Sequence, residues 1–168
     1  LRRQRQMCIR DSIHPLVDRV HNAMQTYAHP WELIIVDDGS SDATWQRLKE
    51  TRKQFGDHVR AFELNRNFGQ TAAMQAGIDF ASGDIIIPID ADLQNDPEDI
   101  PRLLEKLDEG YDVVSGWRKN RMDSAIKRNF VSRQANKLIS KVSGVSLHDY
   151  GCSLKAYRAD VLDGVKLY

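Results

Sequence analysis

The sequence lacks the features that mark several common protein classes. Only two cysteines, Cys8 and Cys152, occur in 168 residues, and their spacing matches no metal-binding pattern. Two isolated cysteines are typical of free thiols in a reducing compartment, which indicates a cytoplasmic protein. Basic and acidic residues number 24 each, so the net charge is zero. We therefore expect no general nucleic-acid binding, which normally needs a basic excess.

Long apolar runs and glycine-rich nucleotide motifs are also absent. The sequence has no uninterrupted stretch of about 18 apolar residues, so we expect no transmembrane segment in this chain. It has no Gly-x-Gly-x-x-Gly and no P-loop, the usual devices for binding dinucleotides and ATP. What is present is ordinary: 41% hydrophobic and 29% charged residues, in a length that suits one globular domain.

Compact apolar runs alternate with helix-period stretches along the chain. We predict strands at residues 32–36, 59–64, 84–89, 111–115 and 154–157. We predict helices at residues 14–27, 42–55, 71–81 and 97–109, and a long amphipathic stretch at 122–142. Asp42 is the expected cap of the second helix. Pro88 lacks an N–H, so the third strand should be locally unpaired or bulged. The alternation predicts an α/β fold with a mostly parallel sheet flanked by helices.

Two of the predicted strands end in acidic residues. Asp37 and Asp38 follow the first strand, and Asp90 and Asp92 follow the third. Ligands of open α/β sheets bind beyond the carboxyl ends of the strands, so these four side chains mark the expected site. Carboxylates gathered at one sheet edge repel one another and need a cation or the donors of a ligand.

Asp90, Asp92 and Gln94 are spaced two residues apart and offer only oxygen ligands to a metal. This set suits Mg²⁺ or Mn²⁺, which bridge phosphate oxygens and neutralise the charge of a leaving group. Asp38 could accept hydrogen bonds from a base or a ribose hydroxyl. An Asp-Gly turn that leads into a capped helix explains Asp38 equally well.

Further along the chain, two arginines and one glycine are candidates for ligand contacts. Arg118 and Arg128 could bind phosphate groups, although a solvated basic surface accounts for them equally well. Gly69 ends a predicted strand-to-helix turn and could let the backbone approach a ligand closely.

Four segments together resemble the family 2 glycosyltransferases, and most of all their polyprenyl-phosphate glycosyltransferase subgroup. They are LIIVDDGSSD at 33–42, NRNFGQTAAMQAG at 65–77, GDIIIPIDADLQNDPEDIPRLLEKLDEGYDVVSGWR at 83–118 and DYGCSLKAYR at 149–158. The pairing of VDDGSSD with the later DADLQ, which contains an Asp-x-Asp motif, is specific. The DYGC segment points further to the bacterial lipid-phosphate branch, which builds cell-envelope glycans.

The resemblance implies a glycosyltransferase A-type (Rossmann-like) fold and an enzyme of the hexosyltransferase type. The implied reaction is inverting transfer of a sugar from a nucleoside diphosphate, of the UDP or GDP type, to a polyprenyl phosphate. An anionic acceptor needs little or no general base, so positioning and a metal ion would lower the barrier.

The resemblance also implies a role for each matching residue. Asp90 and Asp92 would be the catalytic centre and, with Gln94, the ligands of Mg²⁺ or Mn²⁺. Arg128 would face the acceptor phosphate. The nucleotide sugar would contact Val36, Asp37, Asp38, Ala91 and Arg118.

The ends of the chain depart from the family pattern. Residues 1–11 match neither the apolar strand nor the Pro-x-Tyr-Asn-Glu motif with which the family begins. We therefore expect residues 1–11 to be non-native, and residues 12–168 to form a partial catalytic domain without its first strand. Any membrane attachment, on the cytoplasmic face, would belong to a later part of the parent protein. The chain alone is expected to be inactive.

Three other interpretations fit parts of the sequence. A receiver domain also carries an acidic pair and a later aspartate, but it needs a lysine after a later strand, where Gly116 and Trp117 stand. A haloacid-dehalogenase-like phosphatase needs Thr or Val at the position of Gln94. A non-catalytic sugar-nucleotide-binding scaffold fits as well, and it would bind a nucleoside diphosphate without needing Mn²⁺.

Overall fold

A computed structural model of the chain describes residues 2–93, 95–116 and 154–167, with side chains from residue 11 onward. In these ranges the helices are α1 (Arg2–Met24), α2 (Thr44–Phe55), α3 (Gln70–Phe80) and α4 (Ile100–Asp108). The strands are β1 (Leu33–Asp37), β2 (Val59–Glu63), β3 (Ile85–Ile86), β4 (Val113–Ser115) and β5 (Lys155–Arg158). Short 3-10 helices form at Pro97–Asp99 and Ala159–Leu162. The predicted alternation of strands and helices is confirmed; the stretch at 122–142 lies outside the described residues.

The parallel part of the fold is the pair of β1 and β2, which run in register from Leu33 opposite Val59 to Asp37 opposite Glu63. Parallel neighbours need a crossover connection, and α2 provides it. The N-cap of that helix is Ala43, one residue after the predicted cap Asp42, although Asp42 Oδ1 accepts a hydrogen bond from the Thr44 amide at 3.0 Å.

A second sheet has β5 at its centre, antiparallel to both β3 and β4. β3 pairs over Ile85–Ile86 only, although the apolar run predicted a strand over 84–89. The ladder stops just before Pro88, in agreement with its missing N–H. Among the described residues, β1 is hydrogen-bonded only to β2, and β3 only to β5.

The main core cluster lies between α1, α4 and the second sheet. Helix α4 contributes Ile100, Leu103, Leu104 and Leu107, whose spacing forms one apolar stripe. Burying each such side chain stabilises the fold by roughly 1.5–3 kcal/mol. The other buried members of the cluster are Leu16, Val20, Met24, Leu154 and Ala156.

This core also sets the direction of the acidic segment. Alternate residues of the extended chain pack against it, namely Ile85, Ile87, Ile89, Ala91 and Leu93. Asp90 lies between two of these residues and is half-buried, whereas Asp92 lies in the turn that follows and is exposed.

Helix α1 is longer than the predicted helix at 14–27, since its backbone is helical from Arg2 through Pro15 to Met24. There is no break in the helix at residue 12, and the proposed boundary between non-native and native sequence stays a prediction. Neither α1 nor another helix in the described ranges has the length and apolar character needed to cross a membrane.

Candidate functional site

Asp38, directly after β1, holds the loop that leads into α3. Its Oδ1 accepts a hydrogen bond from the Phe68 amide and its Oδ2 from the Gly69 amide, both at 2.8 Å. Gly69 is the residue that precedes the first turn of α3. A carboxylate is well placed at the start of a helix because backbone donors and the helix dipole favour negative charge there.

Gly39 lets this loop approach the end of β1. Its φ is +64°, and a Cβ added to it would lie 2.4 Å from the carbonyl carbon of Arg66. Only glycine combines that conformation with the absence of a side chain. Gly69 differs, because a Cβ there would have no atom of the described residues within 4 Å, and its contact with a ligand stays a prediction.

Asp37 is buried, with 4% of its surface exposed. Its Oδ1 accepts hydrogen bonds from the amide and the hydroxyl of Ser40, at 3.2 and 2.5 Å. Its Oδ2 is buried and has no hydrogen-bond partner in the described part of the chain. A buried acceptor without a donor costs free energy, so this oxygen is a position where the donor of a ligand would be stabilising.

Val36 precedes this pair in β1 and faces α3. It is half-buried, and its Cγ2 lies 3.7 Å from the position that a Cβ on Gly77 would take. Because Gly77 has no side chain, α3 can lie close to β1, just before Asp37 and Asp38.

Asp90 and Asp92 are the described members of the candidate metal centre. Asp90 is half-buried, and its Oδ1 accepts a hydrogen bond from the side-chain amide of Gln70 at 2.9 Å. Asp92 is exposed. The described residues contain no group of three or more His, Cys, Asp or Glu side chains that could hold a metal ion. Mg²⁺ is commonly held by one or two carboxylates together with substrate phosphates, so this pair fits a hard divalent cation.

The acidic segment is braced from α1 at two points. The Ser12 hydroxyl donates to the carbonyl of Ala91 at 2.5 Å, and the Arg19 guanidinium contacts Asp96 Oδ1 at 3.0 Å. Between them, Leu93 adopts a φ of 59°, which is unusual for a residue with a side chain. Packing of Leu93 against the core offsets this strain, which is of the kind that collects at functional sites.

The loop Phe68–Gln70 brings the two acidic strand ends together. Its first two amides contact Asp38, and the next side chain contacts Asp90. In the described ranges β1 and β3 belong to different sheets, so the expectation that both clusters lie at one sheet edge stays a prediction. Gln94, Arg118 and Arg128, the other predicted site residues, lie outside the described residues.

Two residues of this arrangement were not predicted as site residues. Gln70 was interpreted only as part of the turn and helix in NRNFGQTAAMQAG, and its position at a helix start opposite an acidic loop is the signal that could have drawn attention to it. Ser12 offered no such signal, because its contact with Ala91 spans 79 positions of sequence.

A solved structure and several curated proteins are similar to the chain. The crystal structure of S. aureus TarS 1-349 superposes with a TM-score of 0.56 at 19% identity, over 88% of this chain and 44% of that one. This likeness confirms the predicted α/β fold of the glycosyltransferase A type.

Two curated relatives match nearly the whole chain. A dodecaprenyl-phosphate galacturonate synthase of Rhizobium johnstonii is 54% identical over 93% of this chain and 46% of its own length. An undecaprenyl-phosphate 4-deoxy-4-formamido-L-arabinose transferase of Klebsiella pneumoniae is 46% identical over 92% of this chain and 47% of its own length. The chain thus spans just under half of either relative.

The family model described as glycosyl transferase family 2 matches residues 7–165. That match begins within the segment predicted to be non-native and covers both acidic strand ends. The match to the family model and the similarity to the two relatives show that the chain belongs to glycosyl transferase family 2.

Proposed function

We propose that the protein containing this chain transfers a sugar from a nucleoside diphosphate to a polyprenyl phosphate. The observation that carries the proposal is the pair Asp90 and Asp92, of which Asp90 is joined through Phe68–Gln70 to Asp38. The acceptor class is supported by the names of both relatives, each of which includes a polyprenyl phosphate. Those names differ in the sugar, so the sugar is a question for experiment.

Asp90 and Asp92, with Gln94, would hold Mg²⁺ or Mn²⁺, which when bound supplies positive charge to the diphosphate leaving group. On the nucleotide side, the Oδ2 of Asp37, which has no partner among the described residues, would accept a hydrogen bond from a base N–H or a ribose hydroxyl. Asp38 would contact the nucleoside while it keeps the loop before α3 in place.

The remaining roles concern the walls of the site and its phosphates. Val36 and Ala91 would line the nucleotide sugar, and Arg118 would bind its diphosphate. Arg128 would bind the phosphate of the acceptor. The assignments of Val36, Ala91 and Arg118 rest on the family motifs in which these residues lie. That of Arg128, which lies outside those motifs, rests on the overall resemblance to the family.

The proposed chemistry is a single displacement with inversion. A phosphate oxygen of the acceptor attacks the anomeric carbon while the bond from that carbon to the nucleoside diphosphate breaks. The attacking oxygen already carries negative charge near neutral pH, so no side chain has to remove a proton. The protein contributes by holding donor and acceptor in line, which is worth several kcal/mol of a reaction barrier. Because the acceptor is a membrane lipid, the reaction would take place at a membrane surface, on the cytoplasmic face.

The test is calorimetric titration of the chain with UDP and GDP, with and without Mn²⁺, for the wild type and Asp92→Ala. We expect Mn²⁺-dependent binding of one nucleotide and a loss of about tenfold or more in Asp92→Ala. Asp108→Ala, which removes an exposed carboxylate of α4, is the matched control and should bind as the wild type does.

A panel of nucleotide sugars with undecaprenyl phosphate as acceptor then tests transfer. Nucleotide binding that needs no Mn²⁺ and survives Asp92→Ala would disprove the metal assignment and favour the non-catalytic scaffold. Sugar transfer by the 168-residue chain itself would disprove the expectation that the chain alone is inactive.

A further inference from the structure

We propose that Gln70 is a positioning residue for Asp90, and that it couples the nucleoside side of the site to the cation side. This inference rests on the proposed function, because it concerns the carboxylate assigned there to the metal ion. The juxtaposition that carries it is a helix-start amide bonded to one candidate metal ligand, directly after two amides bonded to Asp38.

The contact itself fixes which oxygen of Asp90 is engaged. The Gln70 Nε2 lies 2.9 Å from Asp90 Oδ1. An ionised carboxylate only accepts hydrogen bonds, so the amide must present its NH₂ group to it. Within the described residues no hydrogen bond is made to Oδ2 of Asp90. One oxygen is therefore oriented by the protein while the other is left for a cation.

The backbone of Gln70 is held firmly enough to give this amide a defined reach. Gln70 is the first residue of α3, and the two preceding amides are bound by Asp38. The first turn of the helix closes where the Ala73 amide donates to the carbonyl of Gly69 at 3.1 Å. Only the side-chain torsions of Gln70 remain to be ordered.

An oriented ligand binds a cation more tightly than a freely rotating one, since less conformational freedom is lost on binding. Residues that hydrogen-bond a metal ligand typically change metal affinity by about 10- to 100-fold when they are replaced. The Gln70 contact is exposed, so the lower end of that range applies to it.

If Gln70 had a purely structural role, its replacement would lower the melting temperature of the protein. Its side chain is exposed and Asp90 is half-buried, so the hydrogen bond contributes little to folding. Replacement of Gln70 should therefore change cation affinity while it leaves the melting temperature unchanged.

The experiment measures Mn²⁺ binding to the chain by electron paramagnetic resonance of the free ion, with Mn²⁺ alone as the probe. Gln70→Ala should weaken Mn²⁺ binding about tenfold, with an unchanged melting temperature. Gln46→Ala is the matched control, because the Gln46 amide also donates to a carboxylate, Glu50 at 3.2 Å, but on the exposed face of α2. It should bind Mn²⁺ as the wild type does.

A double-mutant cycle shows whether Gln70 acts through Asp90. In the Asp90→Ala background, Gln70→Ala should cause no further loss, since no carboxylate is left to orient. An equal further loss, or a fall in melting temperature that accounts for the weaker binding, would overturn the positioning role.

The two proposals fail in different ways. If Asp92→Ala weakens Mn²⁺ binding and Gln70→Ala does not, the inference on Gln70 is wrong and the metal site stands. If the wild type shows no Mn²⁺ binding that depends on Asp92, the metal site is wrong and the role of Gln70 is overturned with it.

Discussion

At the scale of single residues, Asp38 is the main connection between the end of β1 and the loop before α3. Asp38→Ala leaves the amides of Phe68 and Gly69 without their acceptor. Because Phe68 is 53% exposed and water can replace part of the loss, we expect a destabilisation of about 1 kcal/mol. Urea denaturation measures this change, and amide hydrogen exchange should show faster exchange at residues 68 and 69.

Asp57→Ala is the control for this prediction, because it removes an exposed carboxylate from the turn between α2 and β2. It should leave the exchange rates at residues 68 and 69 unchanged. Unchanged rates in Asp38→Ala as well would mean that the loop does not depend on this carboxylate.

Gly39 permits the same loop to pass close to β1. Its replacement should lower the free energy of unfolding by more than Asp38→Ala does. Gly39→Ala combines a positive φ with a Cβ placed 2.4 Å from the backbone of Arg66, so we expect a loss of roughly 3 kcal/mol or more. Gly110 also has a positive φ, of 101°, but a Cβ in Gly110→Ala would meet no atom of the described residues within 4 Å. It should cost only about 1–2 kcal/mol. Thermal unfolding of the two variants gives the comparison, and equal losses would mean that the loop can move away from residue 39.

The site shows which contacts a sequence predicts and which it does not. Asp37 was placed correctly at the end of β1, with Asp38 directly after it, because the apolar run before them ends abruptly. Asp90 and Asp92 were expected directly after a strand over 84–89, but β3 ends at Ile86 and Asp92 lies in a turn. The same rule does not find Gln70 or Ser12. Their partners are set by how α3 and α1 lie on the sheets, which is a property of tertiary packing and not of local pattern.

At the scale of secondary-structure elements, helix α1 packs into the core with the part of its length whose side chains are described, from residue 11 onward. Its buried apolar side chains are Ile13, Leu16, Val17, Val20 and Met24. The sequence of residues 1–10 contains four arginines and two glutamines, so we expect their removal to lower the free energy of unfolding by less than about 1 kcal/mol. Val17→Ala, at a side chain only 1% exposed, should cost about 2 kcal/mol. Denaturant unfolding compares the two, and a deletion as costly as Val17→Ala would show that residues 1–10 belong to the packed domain.

The strands show where apolar patterns stop being informative. The runs at 32–36 and 59–64 predicted β1 and β2 closely, and their parallel pairing followed from the intervening helix. The central position of β5 and its antiparallel direction could not be predicted, because apolar periodicity carries no information on which strands pair or in which direction. The short extent of β3 was foreseeable from Pro88 alone, but its partner was not.

At the scale of the whole molecule, helix α3 ties the features of the chain together. Its first residue contacts the acidic segment, and the carbonyl of its last residue, Phe80, accepts a hydrogen bond from Arg60 of β2. Membership of glycosyl transferase family 2 agrees with this arrangement and is incompatible with the receiver and phosphatase alternatives. The candidate site therefore depends on the packing of α3 at both ends.

At the far end of α3, Glu32 joins three elements of the fold. One oxygen of its carboxylate contacts the Arg60 guanidinium at 2.6 Å, and the other accepts from the Ser82 amide and hydroxyl at 2.8 and 2.7 Å. Arg60 also donates to the carbonyl of Phe80 at 3.0 Å. Burial raises the pKa of Glu32, but the hydrogen bonds from Arg60 and Ser82 outweigh it and hold the pKa below its ordinary value of 4.5.

A depressed pKa in the folded state makes this contribution to stability dependent on pH. It is fully present above the ordinary pKa of 4.5, and it is lost as the pH falls through the folded pKa. Glu32→Gln should thus be about 1–2 kcal/mol less stable than the wild type near neutral pH. The difference in free energy of unfolding between the wild type and Glu32→Gln should become smaller in acid, below the ordinary pKa of Glu32.

Urea denaturation at about pH 7 and about pH 3 measures that gap. Glu105→Gln, on the exposed face of α4, is the control and should follow the wild type at both values. A gap for Glu32→Gln of the same size in acid would show that the charge of Glu32 does not contribute. The shape and packing of the side chain would then hold α3 against β1 and β2.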